Sequence, residues 1–214
     1  MKKALILLTL ILVSLSAMPQ DKKYQKAMLK AIKKMDQVSD PAALKESASA
    51  FEALGENNPT EWIPYYYASF ALINASFEES DEDSKDQLLE RAQKSIGYSM
   101  KLAPKESELH VLQAYYYTGV INVDPNIRGA EYYEDALFSL EKAAELNPDN
   151  PRGAFLQAMM TLNMPEFLGG GPEAAKPLFL EAEKLFSEFE NDNPLWPSWG
   201  AEDVQAVLER LKDI

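Results

Sequence analysis

One histidine, His110, and no cysteine are available to this chain for metal ligation or nucleophilic chemistry. A zinc set or a nucleophile–base pair needs at least one more group of that kind, so His110 lacks the company that such sites require. Serines and carboxylates are plentiful, yet no Gly-x-Ser-x-Gly elbow occurs. The acidic run at 78–83 offers oxygens to calcium without the ligand spacing and glycine of a calcium loop, and a solvated linker accounts for it. The turn Leu168-Gly169-Gly170-Gly171-Pro172-Glu173 could open a helix whose first amides hold an anion. It lacks the Lys-Ser/Thr of a phosphate loop, so a helix-entry turn explains it as well. Flat apolar faces are the richest resource, above all the triplets Tyr65-Tyr66-Tyr67 and Tyr115-Tyr116-Tyr117. Trp196 and Trp199 are read as a staple that fixes the last helix to the body, with an exposed ligand-binding pair as the alternative. Consecutive residues point around most of a helix, so each triplet divides between interior and surface. The chemistry on offer is recognition. No catalytic residue, metal or cofactor is expected, and the chain is read as a non-enzyme.

Helices must position those groups, because the apolar residues recur at helical spacing and no strand series is evident. Residues 1–20 are set apart first. Lys2 and Lys3 precede an apolar run at 4–13, then small residues and Pro19, the layout of a secretory signal peptide cleaved between Ser16 and Gln20. The mature chain, 21–214, is then about 194 residues long, enough to bury a helical core as one domain. Its first helix places Tyr24, Met28, Ala31, Ile32 and Met35 on one face and six lysines on the other, the only basic concentration in the chain. That stripe is read as a solvated face. With a net charge of −13, or −15 without Lys2 and Lys3, the chain is expected to be repelled by nucleic acid and anionic lipid, because their phosphates reward Lys and Arg. No nucleic-acid partner is expected.

The remaining helices pair off at joints rich in Pro and Asn. Asp40-Pro41 opens one that closes at 55–60. Hairpins follow at 61–77 with 85–102, 106–120 with 129–146, and 152–163 with 172–190, and a capping helix occupies 201–213. Within them a triad recurs four times at identical spacing: Ser47/Phe51/Pro59, Ala92/Ile96/Pro104, Ala136/Leu140/Pro148 and Ala182/Phe186/Pro194. The prolines lie 45, 44 and 46 positions apart. A period in that range signals stacked helical hairpins. The small residue lets neighbouring helices approach, the large one fills the space one turn later, and the proline ends the helix.

This pattern resembles the second helix of the tetratricopeptide repeat over residues 40–200. The resemblance implies an all-α fold, a right-handed α-solenoid of antiparallel helix pairs with a C-terminal capping helix. Two features depart from that family. The first-helix signature is poorly kept, with Ser69, Ala114 and Ala158 as the small residues. The period also exceeds 34 by about ten, which is read as long loops within each repeat at 77–86, 121–132 and 163–175.

In the family the first helices line a concave face that binds extended peptides or other ligands. Counting from each proline, the resemblance implies that Tyr66, Phe70 and Asn74, then Val111, Tyr115 and Gly119, then Phe155, Met159 and Asn163 point there. Gly169, Gly170 and Gly171 form a second candidate surface with the other loops. The leading expectation is a protein- or peptide-binding scaffold of the cell envelope, periplasmic or extracellular, with no transmembrane segment in the mature chain. The alternative is a small-molecule or solute-binding module with its ligand in an aromatic-lined pocket.

Overall fold

The structure is a computed structural model that describes residues 22–212. The signal-peptide reading therefore lies outside the described residues. Nine α-helices run through them: α1 Lys22–Met35, α2 Pro41–Asn57, α3 Ile63–Glu78, α4 Glu82–Leu102, α5 Ser107–Val123, α6 Pro125–Leu146, α7 Pro151–Asn163, α8 Pro172–Glu188 and α9 Ala201–Arg210. A 3-10 turn, Glu166–Leu168, sits between α7 and α8. The described residues contain no strand.

Helix starts follow from short polar side chains that occupy orphan backbone amides. Asp40 accepts from the Ala43 amide, Asp81 from Ser84, Asp124 from Asn126 and Ile127, and Asn150 from Arg152 and Gly153. Proline follows directly at α2, α6 and α7, where its missing N–H goes unused and its fixed φ suits the first turn.

The odd-numbered helices form a continuous wall, α1 on α3, α3 on α5 and α5 on α7. Each pairs with the even-numbered helix that follows it, and α9 closes the end by packing on α8. The repeated triads sit in this second set. Ser47, Ala92, Ala136 and Ala182 are all buried, as are Phe51, Ile96 and Leu140, while Phe186 is half-buried. Burying a side chain of that size contributes roughly 1.5–3 kcal/mol. The four prolines are exposed at the joints. Apolar packing divides into two clusters, one spanning α1 to α5 and the other α5 to α9, and Tyr115 packs against both.

The long loops expected inside each repeat are helical instead. The α3–α4 joint is three residues, 79–81, and Asp124 alone separates α5 from α6. The extra period is taken up by longer helices, 21 residues in α4 and 22 in α6. Of the three expected loops, only the one around 164–171 remains a long joint. Its glycines do not present open amides. Gly169 and Gly171 adopt φ of 91° and 93°, and the amides of Gly169, Gly170 and Gly171 donate to the carbonyls of Glu166, Pro165 and Thr161. The candidate loop surface is therefore a closed turn that delivers the chain into α8.

Candidate functional site

The helical repeat places equivalent residues of α3, α5 and α7 in rows along the odd-helix wall. Phe70, Tyr115 and Met159 stand at the same repeat offset, as do Tyr66, Val111 and Phe155. Adjacent members meet: the rings of Phe70 and Tyr115 stack at 5.7 Å, and the Tyr115 hydroxyl donates to Asn74 Oδ1 at 2.9 Å. Phe77 adds a further ring 5.5 Å from Tyr115.

The C-terminal segment between α8 and α9 lies against this wall. Leu195 is fully buried, and the Tyr67 hydroxyl donates to the carbonyls of Leu195 and Trp196. Trp196 sets its ring edge-on to Trp62 at 5.6 Å. The Trp199 indole stacks on Phe70 at 5.3 Å and Tyr115 at 5.5 Å, and meets Phe155 edge-on at 6.2 Å. Its Nε1–H donates to the Tyr66 hydroxyl at 2.8 Å. Gly200 turns the chain into α9 with φ 104°, and any Cβ there would stand 2.7 Å from Phe186.

Of the residues expected on the concave face, Tyr66, Phe70, Tyr115 and Phe155 thus converge on Trp199, and Asn74 joins through Tyr115. Val111 is fully buried in the second core with no exposed face, and Met159 is half-buried against that core. Asn163 is exposed, and its amide nitrogen returns to the Met159 carbonyl within its own helix. Gly119 faces inward, where a Cβ would lie 2.9 Å from Leu89. Val111, Asn163 and Gly119 are therefore not part of the aromatic surface, because α5 and α7 turn those positions toward packing or solvent.

A cleft of about 230 Å³ opens beside the aromatic cluster. Phe70 and Asn74 line one side, and Met35, Val38 and Leu44 the other. Asp36 and Glu78 also line it, and no Lys or Arg does. Burial holds the Asp36 carboxyl above its ordinary value, and burial pushes the Tyr115 phenol well up, with the charge of Asp203 adding to the shift. Both groups are thereby kept more protonated than in water. A second, more open cleft of about 610 Å³ lies along the seam of α8 and α9, lined by Leu180 and Phe186 together with Glu183 and Glu202.

Below the C-terminal segment lies a buried ion pair. Arg152 Nε donates to both oxygens of Glu108 at 2.9 Å, and Nη2 stands 2.8 Å from Oε1. Asn150 Nδ2 donates to Glu108 and to Ser107 Oγ. Phe186 and Phe189 cover the guanidinium at 6.0 and 4.9 Å. A lone Arg following Pro carries no local mark of burial. Its position gives a clue, because Glu108 and Arg152 are 44 residues apart, one repeat, and equivalent positions on α5 and α7 touch.

No group of three or more possible metal ligands occurs among the described residues, and none of their helices is long and apolar enough to cross a membrane. The geometry offers flat rings beside a cleft of mixed apolar and polar lining instead. No protein-family model matches the chain, and no curated protein matches it. Among solved structures, it is similar to the HusA haemophore from Porphyromonas gingivalis, at 26% identity and a TM-score of 0.80. That match covers 92% of this chain and 96% of the other.

Proposed function

We propose that this protein is an exported, non-enzymatic carrier of a flat, largely apolar small molecule, with haem or a related porphyrin as the leading candidate. The observation that carries this reading is the cluster of stacked rings at Phe70, Tyr115 and Trp199 beside a cleft lined by both apolar and polar side chains. The likeness to a haemophore over nearly the whole chain supports it. The fold on this reading is a tetratricopeptide-like right-handed superhelix, whose odd-numbered helices present the binding wall. The chain would reach its place of work by the expected export signal.

A cleft of about 230 Å³ is smaller than the 300–1,000 Å³ usual for small-molecule pockets. A macrocycle therefore needs more room, and Trp199 stands where it would go. Its indole occupies the space among Phe70, Tyr115 and Phe155 that a second flat ring system would fill. Ligand entry then exchanges one stacked ring for another. Asp36 and Glu78 face the cleft without a cation, so a ligand's carboxylates turn toward water.

Titrating haem into the purified mature protein, followed by absorbance and tryptophan fluorescence, tests this. Saturable binding is expected, with Phe70→Ala and Tyr115→Ala each weakening affinity several-fold, from about 0.5–1.5 kcal/mol of lost ring stacking. Non-saturable partition, or affinity indifferent to both changes, would sink the proposal. The peptide-scaffold reading has one observation in its favour: the wall already holds a non-helical segment, Pro194 to Trp199, of its own chain. A synthetic peptide of that sequence competing with haem would support it.

A further inference from the structure

Helix α1 carries six lysines and no acidic residue, in a chain whose net charge is −13. At about 100° per residue, Lys22, Lys33, Lys26, Lys30, Lys23 and Lys34 fall in that angular order within an arc of about 120°. All six are exposed. Tyr24, Met28 and Met35, which anchor the helix to the body, lie on the opposite side and are buried. Among the described helices, α1 packs chiefly on α2 and α3, through the face opposite the exposed lysines. Lys34 at the far edge of the lysine arc pairs with Glu46 on α2 at 2.7 Å. Lys22, Lys33, Lys26 and Lys30 form an exposed row, with the half-exposed Leu29 flanking it.

We infer that this face docks the protein on a bilayer surface rich in anionic lipid headgroups. The row spans about 17 Å of helix, with no aromatic anchor along it. Such a surface suits a laterally continuous field of phosphates better than a shaped protein epitope. Net charge opposes the contact, but distance decides the balance. The screening length is about 8 Å at physiological salt, so acidic groups on the far helices contribute little while lysines at the surface act in full. Polybasic rows gain affinity lysine by lysine under these conditions. Leu29 can enter the headgroup layer beside them as the lysine stems lie along the interface. This reading is independent of what the groove binds.

The test is flotation of the mature protein with vesicles of phosphatidylglycerol and phosphatidylcholine, against phosphatidylcholine alone. At about 0.1 M salt the protein should float with the anionic vesicles only, and about 1 M salt should release it. A variant with Lys22, Lys26, Lys30 and Lys33 changed to Gln should lose more than about tenfold in affinity. A control with Lys94, Lys101, Lys105 and Lys184 changed to Gln alters net charge equally and should bind as the wild type does. The lysines are exposed, so circular dichroism should show both variants folded. Absence of flotation, equal binding to neutral vesicles, or equal loss in the control would overturn the inference. Capture of an acidic protein by a chain that ignores anionic vesicles would overturn it as well.

Discussion

Arg152 and Glu108 each keep only about 1% of their surface in water, yet both are charged groups. Taking two ions out of water is unfavourable by several kcal/mol each, so their shared geometry must recover it. The Nε–H aimed between both carboxylate oxygens does so, with Asn150 serving a remaining lone pair and two phenylalanine rings facing the guanidinium. Removing one partner leaves the other charge stranded. Glu108→Ala should therefore lower unfolding free energy by about 3–5 kcal/mol in urea denaturation. The double variant Glu108→Leu, Arg152→Met should recover most of that loss, because no unpaired ion remains. A double variant as unstable as the single one would show that the site depends on these polar groups for another reason. The pair also sets the edge of the groove, since Arg152 seats Phe186 and Phe189, from which the C-terminal segment departs.

At the scale of elements, α4 and α6 are tied by Asp86 and Arg128, whose two Nη groups donate to the two carboxylate oxygens at 2.5 and 2.7 Å. The hydrogen bonds from Arg128 hold the Asp86 carboxyl below its ordinary value. A depressed acid stabilises the fold fully above the unfolded value, about 3.9, and that contribution fades as pH falls through the folded one. Asp86→Asn should accordingly lower Tm at neutral pH, and the gap from wild type should close on acidification through that range. A gap that persists in acid would mean the pair matters for packing rather than charge. Asp86 and Arg128 fall inside or beside the stretches expected to be loops, and the reason is physical. Pro125 and Gly129 look like breakers, but proline after a capping Asp starts a helix, and one interior glycine weakens a helix by only about 1 kcal/mol. Helix identity and the rows Tyr66/Val111/Phe155 and Phe70/Tyr115/Met159 were legible because they repeat. What was not legible is where Trp199 settles. Its segment has no helical period, and its partners lie 44 or more residues away, on α3, α5 and α7.

Across the whole molecule, two apolar clusters meet at Tyr115, and the C-terminal segment spans both, with Leu195 in the first and Trp199 against the second. On the proposed function, closing the segment and admitting a ligand draw on the same rings, which would make them competing equilibria of one groove. If only the open form binds, apparent affinity is the intrinsic affinity scaled by the open fraction. Leu195 is the fully buried anchor that has no part in the ring stack. Leu195→Ala should therefore act in opposite senses on two readouts. Stability of the free protein should fall by about 2–5 kcal/mol, as for other buried leucines. Haem affinity should rise, approaching tenfold for each 1.4 kcal/mol by which closure weakens, until the open form dominates. Restoring bulk with Leu195→Met should return both quantities toward wild type. Lower stability with unchanged haem affinity would mean that the segment is a fixed wall of the site, and that Trp199 stays in place when the ligand arrives.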